Sequence, residues 1–118
     1  MGSVPDIDVP EDPGFGAIRA LDPKTGEKVW EYKTHTKPWS GVLTTASHLL
    51  FGANGGWLSR DREEMEAYFF ALDADNGKEL WRINLGGTMA SNPISYMANG
   101  KQMVAMAAGG ALFTFSLP

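Results

Sequence analysis

The fold is decided by two stretches, ALDPKTGEKVW at residues 20–30 and ALDADNGKELW at residues 71–81. The second copy follows the first by 51 positions, and Ala, Leu, Asp, Gly and Trp are identical between them. An apolar run precedes each copy, and a further strand is expected to pass through each Trp. A period of about 50 residues with two strands and a glycine turn per copy is typical of blade-type repeats.

Each part of the repeated motif has a physical role. The Asp at the end of the first strand is expected to accept hydrogen bonds from backbone N–H groups of the turn. The Gly four residues later supplies a position with positive φ. The Trp then lies on the outgoing strand, where its large ring can pack on a neighbouring sheet.

The segments around the two copies predict further strands. Residues 41–46 and 48–53 form one pair, and residues 94–97 and 102–107 flank Asn99-Gly100, a strong hairpin signal. Residues 111–117 form the last strand. The count is two strands, then a four-stranded blade, then three strands, about nine in all. The predicted fold is all-β, a partial β-propeller of about two to three four-stranded antiparallel blades.

Two segments do not fit the repeat. Residues 1–14 alternate acids and prolines with little to bury, which predicts an extended arm ahead of a folded unit at residues 15–118. Residues 55–67 are longer than a tight turn requires, and we expect a surface loop there. Asp61 and Glu64 have the spacing of a capping box for one helical turn.

Composition excludes several classes of function. The chain has 118 residues, which is the size of a single domain. Its net charge of −4 argues against a nucleic-acid partner. It has no cysteine, so disulfides and thiolate metal sites are ruled out. No apolar run reaches the roughly 18 residues of a membrane helix, and the start at Met1–Pro5 carries no signal peptide. We therefore expect either a cytoplasmic protein or a piece of a longer one, and favour the piece.

Most candidate chemical groups have a structural interpretation. The stretch at residues 73–77 lacks the Gly and Glu positions of a calcium loop and predicts a turn. His35 and His48 have no metal-ligand spacing, and the glycines at 55–56 and 86–87 do not open helices. Trp39 stands just before a strand, where it either packs in the core or faces a ligand at the mouth of a propeller channel.

The paired motifs resemble the tryptophan-docking motif of quinoprotein dehydrogenases, the eight-bladed propeller enzymes that use pyrroloquinoline quinone (PQQ). The stretch WSGVLTTA at residues 39–46 resembles their W-S-G segment. Residues 92–105, with NPISY followed by NGKQMVA, resemble their P-I-T-Y…G-K-Q run, and the ending GGALFTF at 109–115 resembles their last strand. The resemblance covers about residues 15–118 and points to the C-terminal blades of an alcohol or glucose dehydrogenase.

This resemblance implies a site and its limits. Trp39 would lie near the rim of PQQ, and the backbone of Gly109, Gly110 and Ala111 would approach the cofactor. The catalytic Asp and the calcium ligands of such an enzyme belong to earlier blades, so no catalytic or metal residue is expected here. The chain alone would be inactive and would need the remaining blades of a periplasmic parent. Met103 and the pair at 47–48 depart from the family pattern, which leaves the substrate group open.

Two other interpretations of the sequence remain. Similar repeats occur in non-enzymatic propellers that serve as protein-binding scaffolds or sensor domains, and a self-sufficient small β-sheet protein is the third possibility. A partial ring exposes strand edges and inter-blade surfaces, so we expect the chain to self-associate through its edges.

Overall fold

A computed structural model describes residues 16–34, 38–54, 57–58 and 65–118 of the chain. Every regular element in these ranges is a β-strand. The strands are β1 (Gly16–Leu21), β2 (Lys28–Thr34), β3 (Leu43–Thr44), β4 (Leu49–Ala53), β5 (Trp57–Leu58), β6 (Met65–Glu66), β7 (Tyr68–Asp73), β8 (Glu79–Asn84), β9 (Ile94–Ala98), β10 (Lys101–Ala108) and β11 (Ala111–Ser116). The ranges described include no helix long and apolar enough to cross a membrane.

The strands form antiparallel sheets of the predicted sizes. β1 and β2 pair, the next sheet has the order β3-β4-β7-β8, and the third has the order β11-β10-β9. These are the two, four and three strands predicted from the sequence, and together they confirm an all-β chain with partial propeller architecture.

The insertion differs in part from its prediction as a surface loop. Its two ends pair as β5 and β6, with Trp57 opposite Glu66 and Leu58 opposite Met65. The physical reason is that β4 and β7 are antiparallel neighbours, so the chain that leaves one and returns to the other can continue the pairing. The proposed capping box at Asp61 and Glu64, and the arm at 1–14, lie outside the described residues.

The turns of the two motif copies have the predicted chemistry. The Asp22 carboxylate accepts a hydrogen bond from the Lys24 N–H at 2.8 Å, and Asp73 does the same for Asp75 at 2.9 Å. The glycines of the two turns have nearly equal positive φ values, 75° and 76°. Each copy also has a register shift after its Ala, a bulge that the sequence did not predict.

Two apolar clusters lie between successive sheets. One joins β1–β2 to the four-stranded sheet and consists of Trp30, Leu50, Phe70 and Leu72. The other joins that sheet to β9–β11 and includes Phe69, Met89, Val104 and Met106, all fully buried. The sheets therefore pack face to face, as successive blades do.

Trp30 packs between the β1–β2 sheet and the four-stranded sheet. Only 9% of its surface is exposed, and its indole N–H donates to the Ala74 carbonyl at 2.9 Å. The ring covers Gly77 so closely that a Cβ there would lie 2.5 Å from the ring. Trp30 therefore packs on the neighbouring sheet.

Trp81, the equivalent residue of the second copy, is more open. It contacts Phe69 and Phe115 edge-on, with ring centroids 6.0 and 5.2 Å away, and is 38% exposed.

Candidate functional site

The candidate site lies at the end of the strands opposite the motif turns. Because neighbouring strands are antiparallel, the β4–β7 connection and the start of the β8–β9 connection share this end. The β10–β11 turn joins them there, since the Gly109 N–H donates to the Thr88 carbonyl at 2.9 Å. The sequence-predicted site residues all fall on connections or strand ends of this kind.

Trp39 lies on the β2–β3 connection and is 57% exposed. The segment that follows it is held in place, because the Gly41 N–H donates to the Asn92 side-chain oxygen at 2.9 Å. A Cβ at Gly41 would overlap the Asn92 carboxamide. Next to Trp39, the Ser40 hydroxyl is buried and has no hydrogen-bond partner within the described part of the chain. Both interpretations of Trp39, packing against the rest of a propeller and facing a ligand, remain predictions.

Gly109 and Gly110 form the turn between β10 and β11, Ala111 begins β11, and all three are exposed. Gly109 has a φ of 57°, and a Cβ on Gly110 would meet nothing within 4 Å. The backbone of this turn is therefore open on its outer side. On its inner side it packs against Gly87, where a Cβ would lie 2.8 Å from the Gly109 nitrogen.

One connection, residues 85–93, touches both parts of the candidate site. Thr88 and Gly87 contact the Gly109 turn, and Asn92 holds the Trp39 segment. The connection is anchored by Met89, which is fully buried. Sequence reasoning missed Asn92 and Gly87. The signal for Asn92 was its offset, since it follows Gly41 by the same 51 residues that separate the two motifs.

The other sequence candidates have structural roles where the structure describes them. The exposed His48 places its Nδ1 3.0 Å from the carboxylate of the exposed Asp75. Asp73 uses its carboxylate inside its own turn, and the Gly86 N–H bonds the Asn84 side chain at 2.9 Å. No group of three metal-ligating side chains occurs among the described residues. His35, Gly55 and Gly56 lie outside them.

Comparison with known proteins shows which family model and which relatives the chain matches. The PQQ_2 family model, described as outer membrane protein assembly factor BamB, matches residues 14–117. A quinoprotein ethanol dehydrogenase of Pseudomonas aeruginosa is 39% identical over 83% of this chain and 14% of its own length. A lanthanide-dependent methanol dehydrogenase of Methylacidiphilum fumariolicum is 36% identical over 84% and 15%. The chain thus spans about one-seventh of these relatives.

Solved structures agree with the sequence matches. A quinohemoprotein alcohol dehydrogenase from Pseudomonas putida superposes with a TM-score of 0.66 at 27% identity, over 83% of this chain and 13% of its own. The enzyme of the same type from Comamonas testosteroni gives 0.65 at 28% identity, with the same coverage. The chain therefore belongs to the PQQ_2 family, as a partial β-propeller that corresponds to a fragment of the quinoprotein alcohol and methanol dehydrogenases.

Proposed function

We propose that this chain supplies the C-terminal blades of a PQQ-dependent dehydrogenase that oxidises an alcohol or a sugar. One observation carries the proposal: a single connection, residues 85–93, holds both the exposed Trp39 segment and the open turn at Gly109–Ala111. The two parts that the resemblance assigned to the cofactor rim are thus organised from the same piece of backbone.

The residues present fit PQQ, a flat ring system that carries carboxylates. An exposed indole at Trp39 offers a flat apolar surface. The buried Ser40 hydroxyl, without a partner in the described ranges, offers a polar contact. The backbone of Gly110 offers a place for close approach, since no side chain stands over it.

Under our proposal this fragment binds and orients the cofactor. Its residues are not assigned to the chemical step. When bound, PQQ supplies the acceptor for the hydride that leaves the substrate CH–OH group. We assign the general base, the calcium ion and its ligands to the remaining blades of the parent. The chain alone is then expected to be inactive, because the catalytic groups must be preorganised together.

A PQQ titration of the chain, with and without calcium, tests whether Trp39 lies at the rim of the PQQ site. We expect saturable quenching of tryptophan fluorescence at micromolar PQQ, because the Trp39 ring would lie against the quinone. The quenching should be lost in Trp39→Ala and kept in Trp81→Phe, which removes another partly exposed indole. A parallel titration of N-acetyltryptophanamide corrects the fluorescence for light absorbed by PQQ itself. Quenching that does not saturate, or that survives Trp39→Ala, would contradict the assignment of Trp39.

We also propose that the chain associates with a second copy, by pairing or exchange of strand edges. Large apolar side chains are exposed on both outer sheets, for example Leu21 and Val29 on the first at 57% and 61%, and Ile94 and Leu112 on the last at 57% and 69%. Multi-angle light scattering should show a mass that rises with concentration. A constant monomer mass up to millimolar concentration would refute this.

A second candidate function follows from the family model, whose description is that of an assembly factor. In that case the parent would be a non-enzymatic propeller that binds proteins as a scaffold or sensor domain. The PQQ titration separates the two, since a scaffold has no reason to recognise the quinone at Trp39. The relatives named above are bacterial, and for either candidate we place the parent in the periplasm.

A further inference from the structure

The dipeptide Asn-Gly occurs three times in the chain, at 54–55, 76–77 and 99–100. The first pair extends beyond the described residues. The other two pairs are both followed by lysine, so their local sequence is identical over three residues. They are a matched pair, in which the same chemical groups stand in two different structural settings.

Asparagine followed by glycine can react with its own backbone, because glycine has no side chain to obstruct the approach. The glycine nitrogen gives up its proton to hydroxide and attacks the side-chain carbonyl carbon of the asparagine. A new C–N bond closes a five-membered imide, while the carboxamide nitrogen takes a proton from water and leaves as ammonia. Water then opens the imide at one of its two carbonyls and yields aspartate or isoaspartate, with no oxidation or reduction.

The setting at 76–77 holds every group that this reaction uses. The Asn76 side-chain oxygen accepts a hydrogen bond from the Lys78 N–H at 2.8 Å, and its nitrogen donates to the Asp73 carboxylate at 3.4 Å. The attacking atom is also engaged, since the Gly77 N–H donates to the Asp73 carbonyl at 2.8 Å. Trp30 covers the turn, and a Cβ on Gly77 would lie 2.5 Å from its ring. The imide can close here only if these contacts break.

The setting at 99–100 is open. Asn99 and Gly100 form the two-residue turn between β9 and β10, and both are exposed. Within the described part of the chain, neither the Asn99 side chain nor the Gly100 N–H has a hydrogen-bond partner. A Cβ on Gly100 would meet nothing within 4 Å, so no other segment packs on it. The Asn99 side chain can therefore turn back on the Gly100 nitrogen without breaking another contact.

We infer that Asn99 is a site of spontaneous deamidation, whereas Asn76 is protected by the fold. Each hydrogen bond that must break lowers the population of the reactive form. In the folded chain Asn76 should therefore convert at least about tenfold more slowly than Asn99. The reaction needs only water and hydroxide.

The two products affect the hairpin differently. Aspartate adds one negative charge to the net charge of −4 and, like asparagine, tolerates the left-handed φ of 51° at position 99. Isoaspartate carries the backbone through its side-chain carbon, and the extra atom does not fit a two-residue turn. The isoaspartyl form should therefore lose the pairing of Ala98 with Lys101 that closes the hairpin. Because β9 is the edge strand of its sheet, it has no second strand to hold it in register.

The test is incubation of the whole chain at mildly alkaline pH, followed by tryptic digestion and mass spectrometry. Asn76 falls in the peptide 63–78 and Asn99 in the peptide 83–101. Fragment ions separate Asn99 from the two other asparagines of its peptide, Asn84 and Asn92. We expect Asn99 to convert to a mixture of aspartate and isoaspartate, with Asn76 slower by about tenfold or more.

The chain unfolded in guanidinium chloride is the matched control, because both sites then depend on their shared Asn-Gly-Lys sequence. The two rates should approach each other there. Asn99→Gly removes the carboxamide and keeps a residue that accepts positive φ, and the acidic product of the peptide 83–101 should disappear. Equal rates at Asn99 and Asn76 in the folded chain would overturn the proposal. Conversion at Asn84 or Asn92 ahead of Asn99, or a folded chain that does not convert, would also overturn it.

Discussion

Trp30→Ala is expected to lower the free energy of unfolding by about 3–5 kcal/mol, the range for deletion of a buried aromatic side chain. Trp30 is only 9% exposed and packs with Leu50, Phe70 and Leu72. Its removal opens a cavity in the joint between β1–β2 and the four-stranded sheet. It also takes away the indole N–H that bonds the Ala74 carbonyl at 2.9 Å. Urea denaturation followed by circular dichroism measures the change.

Trp81→Ala is the control within the same chain. Trp81 occupies the same motif position but is 38% exposed, so less of its surface is buried against neighbours. The loss should be smaller, about 1–3 kcal/mol, because burial energy scales with the area removed from water. If the two substitutions lowered the free energy of unfolding equally, Trp30 could not be the principal packing contact between the sheets.

The repeated motif allowed most of the fold to be predicted. Its Asp and Gly specify a turn by local chemistry, and local chemistry is visible in sequence. The Asn99-Gly100 hairpin is of the same kind, with φ values of 51° and 78° as expected for a two-residue turn. The insertion carried no such local signal, and its strands β5 and β6 arise because β4 and β7 bring its two ends together.

Differences between the two copies of the motif could not be predicted. Trp30 and Trp81 occupy the same motif position, and their exposure is set by what packs on them from the neighbouring sheet. Methionine shows the same difference, because Met106 is fully buried whereas Met97 is 67% exposed on β9. β9 lies at the edge of its sheet and is exposed along nearly its whole length, and residue type alone does not show this.

A strand similar to the one that leads into the motif was also present at the end of the sequence. FTFSLP at residues 113–118 aligns with YFFALD at 68–73, with Ser for Ala and Pro for Asp. The structure supports the alignment, since Phe115 contacts Trp81 at 5.2 Å while the aligned Phe70 packs with Trp30. Of the motif's Ala-Leu-Asp only the Leu is kept, as Leu117, and this loss obscured the similarity.

Only the exposed parts of the candidate site were proposed from the sequence. Trp39 and the glycine turn were found by resemblance, because they lie in short distinctive segments. Asn92 acts through a hydrogen bond to the backbone of Gly41, and such a bond leaves no local pattern at either end. Gly87 is required by backbone contact with Gly109, which is a property of the packed sheets.

Gly77→Ala is expected to destabilise the chain by about 2–5 kcal/mol, as the sum of two effects. Gly77 has a φ of 76°, where any Cβ is strained, at a cost of roughly 1–2 kcal/mol. The new methyl group would in addition lie 2.5 Å from Trp30 Cε3 and 2.6 Å from Cδ2, so the indole must move and its bond to Ala74 is disturbed. Denaturation in urea gives the total.

Gly26→Ala separates the two effects, because Gly26 is the equivalent residue of the first copy. Its φ of 75° is nearly identical, but a Cβ there would meet nothing within 4 Å. Gly26→Ala should therefore show the backbone cost alone, about 1–2 kcal/mol. In a Trp30→Ala background the steric part of the Gly77→Ala penalty should vanish, and the two alanine substitutions should cost the same. If Gly77→Ala still cost more than Gly26→Ala in that background, the extra cost would not come from the contact between Gly77 and Trp30.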